Sequence, residues 1–203
     1  MRKDSLAKRY ALSSSGMFPV NVPNVLTVFR ILLVPVLVVA LLDATPSGDL
    51  LAAIVFAAAS LTDMLDGYLA RTRDAVTTFG KLMDPIADKL LIIAALVALV
   101  SLDRLAAWVA MVIIAREFAV SALRVAAGQM GVIISASPLG KLKTIVQVAA
   151  VLALIAAPDP KAAWVYALVY AMVLVTVVSG ADYFLNFRRK LEDASRARET
   201  SPA

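Results

Sequence analysis

Two long apolar stretches in the first half of the chain decide its fold class. Residues 50–71 read LLAAIVFAAASLTDMLDGYLAR, and residues 82–101 read LMDPIADKLLIIAALVALVS. A helix needs about 20 predominantly apolar residues to cross the hydrocarbon core of a bilayer, and each stretch has that length. Each also contains two aspartates. Carboxylates are costly inside a membrane, so their presence indicates a functional site.

Four further apolar runs extend this pattern in both directions, at residues 25–42, 105–127, 139–157 and 162–187. Breaker residues such as Pro46, Gly48 and Pro158 separate successive runs. The chain is 61% hydrophobic, whereas an ordinary soluble domain is about 45–50% apolar. We therefore predict an all-α integral membrane fold with six transmembrane helices.

The distribution of lysine and arginine predicts the orientation of these helices. Most of these residues lie in the N-terminal segment, the turn at 71–81, the segment 128–143 and the C-terminal tail, whereas the alternate turns contain only Arg104 and Lys161. Because cytoplasmic loops are enriched in lysine and arginine, we expect both termini to be cytoplasmic. The active site would then face the cytoplasm from the cell (inner or plasma) membrane.

We expect three segments along the chain. Residues 1–20 form a basic cytoplasmic N-terminal extension, residues 21–187 form the six-helix domain, and residues 188–203 form a charged, disordered cytoplasmic tail.

Composition excludes several kinds of chemistry. The chain has no cysteine and no histidine, so it cannot form a Cys/His zinc site, a Ser-His-Asp triad or a thiolate nucleophile. Catalysis would have to use carboxylates, hydroxyls, amines, guanidinium groups or a metal held by oxygen. The net charge of +5 favours anionic lipid headgroups as partners and no nucleic acid, because basic and aromatic residues do not alternate in a base-stacking pattern.

The aspartates are spaced so that each pair shares one helix face. Asp63 and Asp66 are three residues apart, and Asp84 and Asp88 are four apart. Because the connecting turn is short, we predict two antiparallel neighbouring helices with all four carboxylates near one membrane face. Like charges crowded in this way require divalent cations. An all-oxygen donor set suits Mg²⁺ or Mn²⁺, and two such ions could clamp a diphosphate.

Small residues accompany these carboxylates. Gly67 and Ala70 lie on the face of Asp63, and Gly80 begins the following helix. They would let a bulky ligand approach the backbone. Arg71 follows directly and is placed for a phosphate oxygen.

The complete spacing resembles the signature of the CDP-alcohol phosphatidyltransferases, D-x2-D-G-x2-A-R-x8-G-x3-D-x3-D. All of its fixed positions are present: Asp63, Asp66, Gly67, Ala70, Arg71, Gly80, Asp84 and Asp88. The resemblance implies a six-helix, homodimeric membrane enzyme with an active site open to the cytoplasmic leaflet.

The resemblance also implies roles for these positions. Asp63, Asp66 and Asp84 would be metal ligands, and Asp88 would be the general base with a further ligand role. How ligand and base duties divide among the four stays open, because coupled carboxylates share protons. Nucleotide and CDP-lipid binding would fall to the positions Asp63, Asp66, Gly67, Ala70, Arg71 and Gly80.

Flanking segments are similar to one branch of that family, the bacterial phosphatidylglycerophosphate synthases. They cover residues 21–30, 78–90, 116–118, 124, 140–144 and 179–183. The implied reaction is transfer of the phosphatidyl group of CDP-diacylglycerol to sn-glycerol 3-phosphate, giving phosphatidylglycerol phosphate and CMP. The same chemistry with inositol phosphate, serine or phosphatidylglycerol as acceptor is the alternative. A more remote alternative is a cation transporter, which would place carboxylates near mid-membrane on several helices.

A doubly charged acceptor would need a cationic pocket. Arg116 and Arg124 are eight residues apart, about two helical turns, and so share a face. Lys141 and Lys143 begin the next helix, so we predict that these four residues bind the acceptor phosphate. Lys143 could instead be an ordinary cytoplasmic lysine. Thr27 and Arg30 are further candidates, with helix capping and an interfacial ion pair as their alternatives.

Overall fold

The structure is a computed structural model that describes residues 22–69, 78–130 and 137–199. These ranges contain six helices and no strand. The helices are α1 (Val22–Leu42), α2 (Pro46–Leu69), α3 (Thr78–Ser101), α4 (Ala107–Gln129), α5 (Pro138–Ala156) and α6 (Ala163–Glu199). The all-helical prediction is therefore confirmed, and each apolar run coincides with one helix. The basic extension at 1–20 lies outside the described residues.

Two helical segments are long and apolar enough to cross a membrane by length and composition, Pro138–Ala156 and Ala163–Asp193. Three shorter apolar segments also occur within the described residues, at Thr27–Leu42, Pro46–Thr62 and Lys89–Ser101. Helices α5 and α6 are thus the candidates for membrane-spanning helices among the described residues. Six crossings and the position of the termini stay predictions.

The helices form one packed bundle. Helix α1 packs against α2 and α3, α5 packs against α6, α2 and α3, and α4 packs against α3 and α6. The two aspartate-bearing helices α2 and α3 therefore share α1 and α5 as neighbours. The short turn predicted direct packing between α2 and α3. Within the described residues, that pair is not among the extensive helix–helix contacts.

Every helix contributes apolar side chains to the interior of this bundle. The fully buried ones include Leu37, Phe56, Leu96, Ile113, Leu154 and Met172. Large apolar side chains also cover the outside, including Leu32, Val39, Leu50, Met111 and Leu174. A soluble monomer rarely exposes so much apolar surface. Contact with lipid accounts for it, because acyl chains are as apolar as these side chains.

A paired arginine joins three elements away from the predicted site. Arg104, in the turn between α3 and α4, donates to both carboxylate oxygens of Asp49 at 2.8 Å. It also donates to the carbonyl of Ile155 at 3.4 Å, near the C-terminus of α5. This bidentate geometry is the strongest form of such a pair. It fixes the start of α2 relative to the ends of α3 and α5.

The prediction of a disordered C-terminal tail is wrong for residues 188–199. Helix α6 continues as one helix to Glu199. The residues that follow the apolar run are good helix formers, and Arg188 donates to Glu192 one turn later at 2.9 Å. High charge prevents a segment from forming its own core, but it does not prevent an existing helix from continuing.

Candidate functional site

The described backbone places the signature positions near the C-terminal end of one helix and near the N-terminal end of the next. Asp63, Asp66 and Gly67 lie in the last turns of α2, and residues 80, 84 and 88 lie in the first turns of α3. The side chains of these signature residues lie outside what the structure describes, as do Ala70 and Arg71 altogether. Their predicted roles as metal ligands, base and nucleotide contacts therefore stay predictions.

A cavity of about 460 Å³ opens between the helices. Six of the described residues that line it are basic: Arg30, Lys89, Arg116, Arg124, Lys141 and Lys143. Glu117 is the only carboxylate among its described lining residues. We call this space the cationic cavity. It brings together all four residues that the sequence proposed for the acceptor phosphate, although they come from two different helices.

The cationic cavity adjoins the aspartate positions along both helices. Ser60 lines it and lies three residues before Asp63 on α2, and Lys89 lines it and directly follows Asp88 on α3. Helical residues three apart are neighbours on one face. The wall of the cavity therefore leads along α2 and α3 to the positions that the signature identifies.

Arg116 is held in a fixed place by α6. Its Nη2 donates to the Ser179 hydroxyl at 3.1 Å, and that hydroxyl donates to the Thr176 carbonyl at 3.1 Å. Gly180 supplies the space, because a Cβ there would lie 3.2 Å from Arg116 Cγ. Arg116 Nε is buried and has no hydrogen-bond partner among the described residues. The hydrogen bond to Ser179 thus fixes the guanidinium through Nη2, and the Nε–H group is available to a ligand.

Glu117 connects the two cationic helices. Its Oε1 accepts hydrogen bonds from Lys143 Nζ and, at 3.4 Å, from Arg116 Nη1. Lys143 is only 8% exposed. A lysine that merely marked the cytoplasmic side would extend into solvent or headgroups, so the burial of Lys143 favours its role in the site. Glu117 holds the two cations together while leaving the cavity with an excess of positive charge.

Arg124 and Lys141 are more open to the surroundings. Both residues are exposed, and the Arg124 guanidinium carbon lies 5.9 Å from the centre of the Tyr183 ring. Contact with an aromatic face orients a guanidinium without neutralising it. These two cations are therefore more accessible to a ligand than the partly buried Arg116 and the buried Lys143.

Some of the remaining lining residues lie in the segments that resemble the phosphatidylglycerophosphate synthases, whereas others were not predicted. Lys89, Ser179 and Tyr183 lie within such segments, and Arg30 had competing explanations. Gln147 was missed, although it lies in the apolar run 139–157 and is only 3% exposed. A primary amide in the middle of a buried apolar helix face was the signal that could have found it.

The donor chemistry of the signature positions fits a hard divalent cation. Four carboxylates occur in the last turns of α2 and the first turns of α3, and the chain offers no histidine or cysteine to compete. Oxygen donors of this kind suit Mg²⁺ or Mn²⁺. Among the side chains that the structure describes, no group of three or more potential ligands occurs, so no rival metal site is found there.

An all-helical bundle with an apolar exterior and a cavity rich in basic side chains is typical of a membrane protein with a site for an anionic group. The chain belongs to the CDP-alcohol phosphatidyltransferase family, because the model of that family matches residues 20–178. The resemblance inferred from the signature is thereby confirmed.

Named relatives resemble this chain over most of its length. A Bacillus subtilis protein named CDP-diacylglycerol–glycerol-3-phosphate 3-phosphatidyltransferase is 42% identical, covering 81% of this chain and 93% of its own. A Mycobacterium tuberculosis protein named probable phosphatidylglycerophosphate synthase is 40% identical, covering 89% of this chain and 87% of its own. A Rickettsia felis protein with the same name as the first is 37% identical over 81% of this chain.

Proposed function

We propose that the chain transfers the phosphatidyl group of CDP-diacylglycerol to sn-glycerol 3-phosphate, giving phosphatidylglycerol phosphate and CMP. One observation carries this proposal: a cavity with six basic side chains and one described carboxylate adjoins the aspartate positions of a CDP-alcohol signature. The printed names of relatives at 37–42% identity support the same substrates.

The charge of the cavity favours a phosphorylated acceptor. Arginine binds phosphate oxygens through paired, charge-assisted hydrogen bonds, which are about twice as strong as neutral ones. Serine and phosphatidylglycerol carry less negative charge than a phosphate monoester, so they would neutralise less of the positive charge in the cavity. Inositol phosphate satisfies the same charge requirement, and the named relatives favour glycerol 3-phosphate over it.

The reaction needs an activated hydroxyl and a stabilised leaving group. Asp88 accepts the proton of the acceptor hydroxyl as that oxygen attacks the lipid-side phosphorus in line with the departing CMP. Asp63, Asp66 and Asp84, with Asp88, would hold two divalent cations, which would neutralise the diphosphate. Arg116 and Lys143 hold the acceptor phosphate, so that its hydroxyl is positioned for attack.

The cytidine diphosphate of the lipid substrate binds where the signature provides space. Gly67, Ala70 and Gly80 allow the nucleotide to approach the backbone, and Arg71 binds one of its phosphate oxygens. Asp63 and Asp66 contribute to this site through the cations. The two substrates thus approach the aspartates from opposite sides, with the acceptor in the cationic cavity.

The proposed setting is the cell membrane, with six crossings and both termini in the cytoplasm. The excess of lysine and arginine on one set of loops supports that orientation. A homodimer is part of the proposal through family resemblance. A cation transporter is less well supported, because the described cavity is lined by six basic residues and one carboxylate, whereas a cation pathway would be lined mainly by carboxylates.

The test is CMP release by the purified protein in detergent with CDP-diacylglycerol and Mg²⁺ or Mn²⁺. Glycerol 3-phosphate, inositol 1-phosphate, serine and phosphatidylglycerol are offered in parallel. We expect metal-dependent release with glycerol 3-phosphate alone. Release with a different acceptor would keep the chemistry and overturn the assigned substrate. A folded protein that releases no CMP with any acceptor would overturn the proposal.

A further inference from the structure

Gln147 is a buried amide whose hydrogen bonds are incomplete. It lies on α5, is 3% exposed and lines the cationic cavity. Its Nε2 has no hydrogen-bond partner among the described residues. Most buried polar side chains are hydrogen-bonded, so an amide left in this state requires an explanation. A ligand in the cavity would supply the missing partner.

Tyr183 has the same property on the opposite helix. It lies on α6, is 6% exposed and lines the same cavity. Its hydroxyl is buried and has no partner among the described residues. Helices α5 and α6 therefore each present an unsatisfied neutral group to the cationic cavity.

Along α5, a charged residue of the cavity is followed by a neutral polar one. Lys143 lies in the second turn of the helix, and Gln147 follows it by four residues, a rise of about 6 Å. Charged donors are needed to bind a phosphate, whereas an amide or a phenol suits a hydroxyl, since each can both donate and accept. The cavity thus offers a site for a phosphate and, one turn further along the helix, a site for an alcohol.

We propose that Gln147, together with Tyr183, binds the hydroxyl of the acceptor that does not react, and so selects a phosphate ester with two hydroxyls over one with a single hydroxyl. This inference rests on the proposed function, because the reacting hydroxyl is the one assigned to Asp88. In glycerol 3-phosphate the non-reacting group is the central hydroxyl. Gln147 and Tyr183 are then determinants of specificity, with no part in proton transfer.

The experiment compares two acceptors that differ only in this hydroxyl, glycerol 3-phosphate and 3-hydroxypropyl phosphate. The purified full-length protein should prefer glycerol 3-phosphate by about 10-fold or more in kcat/KM, because the analogue leaves buried polar groups unpaired. Gln147→Leu and Tyr183→Phe should each lower that preference several-fold, through loss of activity with glycerol 3-phosphate alone. Inhibition by inorganic phosphate should not change, because the cations are intact.

The matched control is Gln129→Leu, since Gln129 is exposed and does not line the cavity. It should retain the wild-type preference. Equal losses on both acceptors in Gln147→Leu, or an unchanged preference in both cavity variants, would overturn the inference.

A binding measurement separates this inference from the proposed reaction. Glycerol 3-phosphate should raise the Tm of the wild-type protein more than 3-hydroxypropyl phosphate does, and Gln147→Leu should abolish the difference. If that holds without any CMP release, the hydroxyl site stands and the proposed reaction is wrong. If CMP is released while the preference is unaffected by either variant, the reaction stands and the hydroxyl site is wrong.

Discussion

The contact between Gly180 and Arg116 provides a sharp test of how the acceptor site is positioned. Gly180→Ala would add a Cβ at 3.2 Å from Arg116 Cγ and 3.8 Å from Nε. The first distance is shorter than nearly all such contacts, so the arginine must move by a few tenths of an ångström. The substitution leaves the charge of the cavity unchanged and replaces no side chain that is proposed to contact a substrate.

The size of the effect follows from the anchor that would be strained. The bond from Arg116 Nη2 to Ser179 Oγ is 3.1 Å, already near the long end for N–H···O bonds. A displacement of a few tenths of an ångström would remove much of it. Partial loss of a charge-assisted bond costs about 0.5–1.5 kcal/mol, or about 2- to 12-fold in kcat/KM for the acceptor.

The assay is steady-state CMP release with each substrate varied in turn. We expect Gly180→Ala to lower kcat/KM for glycerol 3-phosphate and to leave the KM for CDP-diacylglycerol unchanged. Gly128→Ala is the matched control, because a Cβ there meets no atom of the described residues within 4 Å. Both substitutions raise helix propensity, so neither should reduce stability through the helix itself.

Two results would refute this reasoning. Wild-type acceptor kinetics in Gly180→Ala would mean that the position of Arg116 does not matter for the acceptor. A similar loss in both glycine variants, or an equal loss for both substrates, would mean that general changes in the helices cause the effect.

Three further predictions concern the cations, the base and the ion pair outside the site. Arg116→Ala and Arg124→Ala should raise the acceptor KM about 10-fold or more, with little change in the lipid KM; equal effects on both substrates would remove those arginines from the acceptor site. Asp88→Asn should abolish turnover while CDP-lipid binding survives in part, and normal turnover would refute its role as base. Arg104→Gln should lower the Tm through loss of the bidentate pair with Asp49, worth about 1–3 kcal/mol, without altering acceptor KM in the folded protein; an unchanged Tm would contradict the structural role.

The sequence was sufficient to predict the helices because length and apolarity determine them. Each apolar run became a helix, and the breakers around Pro46 and Pro158 separate helices in the structure. The end of α6 differs from the prediction, because a segment dense in charged residues is typical of disorder. The segment after residue 187 contains helix formers and an Arg188–Glu192 pair one turn apart, and these suffice to extend a helix that already exists.

The acceptor site was only partly predictable. Arg116 and Lys143 are charges in or beside apolar runs, and such charges are conspicuous in a sequence. The ion pair of Glu117 with Lys143 joins residues 26 positions apart in the sequence. The hydrogen bond from Arg116 to Ser179 joins residues 63 positions apart. These pairings depend on the positions of α5 and α6 relative to α4. Helical periodicity within one segment does not contain that information.

The most direct test of the central claim is to identify the lipid product. The purified protein is incubated with CDP-diacylglycerol, glycerol 3-phosphate and a divalent cation, and the lipids are analysed by mass spectrometry while CMP is quantified. We predict one phosphatidylglycerol phosphate for each CMP, with neither product formed when glycerol 3-phosphate is omitted. Phosphatidic acid in place of that lipid, or CMP release that does not depend on glycerol 3-phosphate, would contradict the assignment of this chain as the transferase.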